Sequence, residues 1–259
     1  MKRVLLALLL CWPFCATASP RIAIIIDDIG YHRLRGEAVV DLPAQVTCAI
    51  IPETPYGPRL AERAVLAGKE VMIHLPMETA STRPLDKGGI KDEMSHTKLV
   101  TTVRQAFLRI PQAQGLNNHM GSILTAEQEP MSWLMEELAL NHYFFIDSRT
   151  TPDTVAESTA REYGLRTGGR DIFLDNVRTL GKINEQFNKL IRIAKRRGHA
   201  IAIGHPYPET IQYLQGVLPL LDQLGVELVP ASSLLSAPPV MTAQDDTSKA
   251  RTPNSQPVN

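Results

Sequence analysis

Short β-branched runs alternate with longer amphipathic stretches along nearly the whole chain, and this alternation constrains the fold more than any other feature. The strand-like runs are residues 22–26, 46–51, 70–75, 115–118, 143–146, 172–174, 200–203 and 226–229. Several are continuously apolar, as strands covered on both faces are. Between them, Met131, Leu134, Met135 and Leu138 share one helical face, as do Ile183, Phe187, Leu190, Ile191 and Ala194. Pro219 predicts a kink or break in the last helical stretch, 209–224. Strand and helix repeated in this order require a parallel sheet, either open or closed into a barrel.

The two ends of the chain read differently from the middle. Met1-Lys2-Arg3, the apolar run 4–10 and Ala16-Thr17-Ala18 are the three parts of a secretory signal, so cleavage is expected after Ala18 and the mature protein is expected in the periplasm. The apolar run is well short of the roughly 20 residues that cross a bilayer, so no stable membrane anchor is expected after cleavage. Cys11 and Cys15 follow Leu10 and Phe14, residues too bulky for the small one that lipoprotein processing prefers. Residues 19–235 carry no Gly/Ser-rich linker and are expected to form one domain. Residues 236–259 are rich in Pro, Ser, Thr, Gln and Asp, cannot offset their ordering entropy by burial, and are expected to be disordered.

Charge narrows the partners. The 27 basic residues balance the 27 acidic ones, with no long single-sign run, which argues against a nucleic-acid partner. Removal of the leader leaves Cys48 as the remaining cysteine, so no intramolecular disulfide can form and Cys48 is read as a small core residue.

Chemistry-bearing residues sit directly after the strand-like runs: Asp27-Asp28, Pro52-Glu53, His74 to Glu78, Asn118-His119, Asp147-Ser148-Arg149, Asp175-Asn176 and His205-Pro206. In a parallel barrel the carboxyl ends of the strands converge on one rim, where such folds place their chemistry. Successive side chains of a strand point to opposite faces, so Asp27 and Asp28 can take different jobs, one ligating a metal and the other acting as a base. The competing reading is an N-cap for a helix starting near Tyr31, or a surface pair. His74 and His119 with an Asp make a ligand set suited to zinc or a similar ion, with positions left open for water and substrate. Either histidine taken alone is more often a structural residue. Glu78, four residues after His74, is an alternative ligand. His205, behind Gly204, is a proton donor to a leaving group, a third metal ligand or a structural residue. Asp147 and Arg149 either pair to orient Asp27 or bind substrate, and Asn118 is placed with them as a substrate-binding candidate; Asp175 is a weaker one.

The segments Asp27-Asp28-Ile29-Gly30, His74-Leu75-Pro76-Met77, Asn117-Asn118-His119-Met120-Gly121-Ser122, Phe145-Ile146-Asp147-Ser148 and Ala202-Ile203-Gly204-His205-Pro206, in this order, resemble the signature segments of the divergent polysaccharide deacetylases. That family is similar to the nodulation-type carbohydrate esterases. The resemblance implies an α/β fold, a distorted (β/α) barrel of about seven parallel strands of the glycoside hydrolase/deacetylase type. It implies a metal-dependent hydrolase that removes acetyl groups from a glycan of the cell envelope, the alternative being a non-catalytic envelope glycan- or protein-binding member of the same fold. It implies Asp27 as general base, Asp28 as metal ligand and His205 as general acid. His74 matches the first histidine of the larger family's His-x-x-x-His motif, and Glu78 stands where its second would be. His119 lies in the segment that normally carries an arginine and a proline, and Asp147-Ser148-Arg149 replaces an Asp-x-x-Asp-Trp segment. The expectation is that His119 replaces the missing ligand and Arg149 the missing positive charge.

Overall fold

The computed structural model describes residues 19–235; the expected leader, 1–18, and the expected C-terminal tail, 236–259, lie outside the described residues. The first half runs β1 (Arg21–Ile29), α1 (Arg33–Val40), β2 (Thr47–Ile50), α2 (Gly57–Leu66), β3 (Val71–Met77), α3 (His96–Arg109), β4 (Gly115–Met120) and α4 (Gln128–Leu140). The second runs β5 (Phe144–Asp147), α5 (Ala156–Glu162), β6 (Thr167–Gly169), β7 (Ile172–Phe173), α6 (Leu180–Arg197), β8 (His199–Gly204), α7 (Pro208–Val217), α8 (Leu221–Leu224) and β9 (Glu227–Leu228). The chain falls into two compact units interleaved in sequence: one from the residues up to Ile50, Thr54–Val71 and Arg170–Leu234, the other from Ile51–Glu53 and Met72–Gly169.

In the first unit the strands run in the order β2-β1-β8-β7, all parallel, with β9 pairing the start of β1. Residues Ile22, Ala23, Ile24, Ile25 and Ile26 are fully buried, which is why this run carries no alternation. Helix α6 covers the unit with Ile183, Phe187, Leu190, Ile191 and Ala194, the face that its sequence predicts. Its ends are both defined by local chemistry. Thr179 accepts the Lys182 N–H at the start, and Gly198 adopts the left-handed conformation (φ 86°) behind Lys195, Arg196 and Arg197 at the end. Pro219 breaks the next helix as expected: α7 stops at Val217, a 3₁₀ turn spans Leu218–Leu220, and α8 follows.

In the second unit the order is β3-β4-β5-β6, again parallel throughout. Helix α4 buries Met131, Leu134, Met135 and Leu138, again as predicted, and Arg104 of α3 holds Glu137 of α4 through two hydrogen bonds of 2.9 and 2.8 Å.

Among the described residues nine strands form, of which β6, β7 and β9 are only two or three residues long. Strand β6 escapes a sequence reading because Thr167-Gly168-Gly169 has no apolar run; its strand character comes from pairing with Phe145, Ile146 and Asp147 of β5. Strand β1 continues beyond Ile26 through both aspartates, with an irregularity in its pairing to β2 between Ile26 and Ile29. Helix α1 starts at Arg33 behind His32, which makes no side-chain cap, so the N-cap reading of the aspartate pair is not met. Cys48 is buried, and that burial pushes its thiol up to about 12, the state of an inert core cysteine. Among the described residues no helix is long and apolar enough to cross a membrane.

Phe187 is 1% exposed on the buried face of α6. Phe187→Ala is expected to cost about 3–5 kcal/mol, read as a lower urea midpoint at unchanged slope.

Candidate functional site

In the second unit, β3 and β4 place three side chains on one face. His74 and Asn117 are direct partners in the parallel register, and His119 lies two residues beyond Asn117 on the same strand. The Asn117 Oδ1 lies 2.8 Å from His74 Nδ1, so Nδ1 carries the proton and Nε2 keeps its lone pair. The Asp86 Oδ2 lies 3.2 Å from His119 Nε2, so there Nε2 carries a proton, and in the neutral ring Nδ1 keeps the lone pair. These two lone-pair nitrogens, His74 Nε2 and His119 Nδ1, approach to 3.0 Å with the rings edge to face at 73°. Two lone pairs at this separation repel unless a proton or a cation lies between them. Zinc binds imidazole nitrogen at about 2.0–2.1 Å, which sets neighbouring nitrogens about 3.0–3.4 Å apart, so the pair fits a shared metal ion.

The other expected residues of this unit are tied into the backbone around the strand ends. Asn118, 1% exposed, donates to Met120 O at 2.8 Å and accepts the Ser148 N–H at 2.8 Å, so its amide clamps the end of β4 to the end of β5. Glu78 accepts the Asp92 N–H at 2.9 Å and anchors the loop that carries Asp86. Asp147 is fully buried; it accepts the Arg149 N–H at 2.7 Å and the Thr154 hydroxyl at 2.9 Å. Burial raises the Asp147 pKa above the usual carboxylate range, partly offset by those hydrogen bonds. The Arg149 guanidinium meets Glu157, which also receives Arg161, beside a cavity of about 640 Å³ lined by Asp147, Arg149, Thr154 and Glu157.

In the first unit, β1 delivers Asp27, 2% exposed, and Asp28, half-buried with a left-handed backbone (φ 55°). Gly30 completes that turn at φ 133°; a Cβ there would lie 1.9 Å from Thr54 Oγ1, so no other residue fits. Strand β8 delivers His205, whose Nδ1 donates to Asp175 Oδ1 at 2.8 Å while its backbone N–H reaches Asp175 Oδ2 at 2.6 Å. The Thr210 hydroxyl completes the Asp175 shell at 2.7 Å. Burial alone lowers the His205 pKa; the Asp175 hydrogen bond and charge, then the charges of Asp28 and Asp27, outweigh it and hold His205 at about 9. His205 is therefore an imidazolium at neutral pH, able to give up a proton. Its ring lies 5.4 Å from that of Tyr207, and Arg178 stacks 3.6 Å over Tyr207.

Asp86, Asn117 and the Arg178–Tyr207 stack escape a reading by strand ends. Asn117 was findable, because it sits two residues before His119 and therefore on its face. Asp86 was not: it lies in the long segment between β3 and α3, where no periodicity says what it will meet.

The strand ends of this parallel α/β protein thus carry the His74–His119 imidazole pair in one unit and Asp27, Asp28 and His205 in the other. A family model of the divergent polysaccharide deacetylases matches residues 24–235, and the chain belongs to that family. The Escherichia coli (strain K12) protein YibQ is 38% identical over 232 residues, covering 88% of this chain and 72% of YibQ. The crystal structure of ATU2773 from Agrobacterium tumefaciens C58 superposes with a TM-score of 0.81 at 22% identity, covering 86% of this chain and 92% of that one. A CE4 family pseudoenzyme of Bacillus anthracis, in a mutant with restored enzymatic activity, superposes with a TM-score of 0.52 at 14% identity over 85% of this chain and 68% of that one. The fold is thus the α/β fold of these proteins, a distorted (β/α) barrel.

Asp175→Asn removes the charge that does most to hold the His205 proton. In the metal-free variant His205 should titrate clearly below about 9 by histidine NMR. Because the folded pKa lies above the unfolded value of about 6.5, the pair's contribution, about 2 kcal/mol, is full below that pH. The stability gap between the two proteins should close as pH rises through about 9.

Proposed function

We propose that this chain is an exported, metal-dependent hydrolase that removes acetyl groups from an N-acetylated or O-acetylated glycan of the cell envelope. One divalent cation, expected to be zinc, is held by His74 and His119, with Asp28 expected to supply a carboxylate ligand. The observation that carries the reading is the 3.0 Å approach of His74 Nε2 and His119 Nδ1. Family membership supports the glycan as substrate and the leader sequence supports the periplasm.

A divalent ion held by these residues would supply Lewis-acid chemistry, polarising the acetyl carbonyl and lowering the pKa of a water molecule. The protein's own groups move the protons. Asp27, a buried carboxylate at the end of β1, takes the proton of the attacking water. His205, held protonated by Asp175, donates to the departing amine or alcohol oxygen. Asn117 keeps His74 turned with Nε2 forward. Asn118 and Asp147 shape the ends of β4 and β5, while the Arg149 guanidinium, expected to supply positive charge to the site, is paired with Glu157.

A second reading, a non-catalytic glycan- or protein-binding member, is favoured by one finding: a solved neighbour of the same fold is described as a CE4 family pseudoenzyme. The two separate on one protein. Loaded with zinc, cobalt or nickel, the purified chain should release acetate from an acetylated envelope sugar, and Asp27→Asn should lower the rate about 10²–10⁴-fold with the fold intact by circular dichroism. Metal demonstrably bound, with no acetate from a broad panel, would contradict the hydrolase; glycan affinity equal in wild type and Asp27→Asn would then favour the binder.

A further inference from the structure

Asp86 contributes to no strand, yet its carboxylate sits 3.2 Å from the His119 nitrogen that faces away from His74. The segment bearing it is fastened near both ends. Its start is pinned where Ile90 N–H reaches Pro76 O at 2.9 Å and Glu78 N–H reaches Ile90 O at 3.0 Å. Its return is pinned by the Glu78 carboxylate on the Asp92 N–H. Lys87, the next residue, reaches Glu53 at 3.2 Å. Gly88 passes so close to Glu53 that a Cβ there would lie 2.8 Å from its Cγ. Asp86 therefore stands on a braced loop, which costs little further entropy when its carboxylate holds the imidazole.

A neutral imidazole that gives its one N–H to a carboxylate presents its other nitrogen as the acceptor, and the carboxylate makes that nitrogen a stronger donor to a cation. His74 receives the same service from Asn117 on its neighbouring strand. Without Asp86, His119 is free to protonate Nδ1, the nitrogen facing His74, and the pair would close on itself through a hydrogen bond. We infer that Asp86 is a positioning residue of the metal centre, which fixes His119 in the tautomer that binds through Nδ1 and so makes metal affinity depend on the loop between β3 and α3. The inference rests on the proposed metal reading and adds a residue outside the strand ends to it.

The test uses the full mature chain and Zn²⁺ alone as probe, with calorimetric titration for affinity and histidine ¹⁵N NMR for the tautomer, each on wild type, Asp86→Asn and Asp86→Ala. For Asp86→Ala we expect a Zn²⁺ affinity lower by about 10–100-fold and a His119 that loses its Nε2–H tautomer. Asp86→Asn keeps an acceptor oxygen without the charge and should fall between. Asp86→Ala binding Zn²⁺ within twofold of wild type, with the His119 tautomer unchanged, would overturn the inference while leaving the metal reading standing. Wild-type chain that binds no Zn²⁺ would overturn the metal reading instead, and the tautomer comparison on metal-free protein would still report on Asp86 and His119.

Discussion

The 3.0 Å approach of His74 Nε2 and His119 Nδ1 is the constraint around which the functional account is built. Neither histidine chooses its orientation alone. Asn117 sets one from the adjacent strand and Asp86 sets the other from a loop, so the strands must be in register and the loop must be braced before the pair can exist. Facing lone pairs of two neutral rings are relieved by a proton or a cation between them, and which of the two it is distinguishes a metal centre from a pair of structural histidines.

Backbone strain falls in the same places. Asp28, Met120 and Arg149 hold left-handed conformations at φ 55°, 56° and 49°, at or just after the ends of β1, β4 and β5. Each costs about 1–2 kcal/mol relative to ordinary backbone. The Arg149 turn is held by Asp147, and the Met120 turn by Asn118 and Thr150, both of which donate to Met120 O. Residues expected to touch substrate thus spend their polar atoms on shaping the turns, and strain kept by buried hydrogen bonds is characteristic of functional sites.

Much of this was legible in the sequence. Continuous apolar runs located the parallel strands, and the faces of α4 and α6 followed from their period, because burial on two sides or one stripe leaves a direct mark on residue type. Polar residues directly behind the runs located His74, His119, Asp27, Asp28 and His205 for the same reason. What stayed hidden depends on partners rather than on local pattern. Strand β6 exists because β5 offers hydrogen bonds to a Thr-Gly-Gly segment. Glu78, four residues beyond His74 as a ligand would be, instead caps a backbone amide of its own loop. Asp175, a lesser candidate on spacing, is the residue that keeps His205 charged, since its value lies in a carboxylate buried against that ring.

The central claim is that one cation is shared by the two imidazoles, and anomalous diffraction at the zinc edge from zinc-soaked crystals addresses it without any assumption about substrate. The account requires a single strong peak within bonding distance of His74 Nε2 and His119 Nδ1. A zinc-loaded crystal whose peaks lie elsewhere, with the two nitrogens still facing each other across a proton, would contradict it.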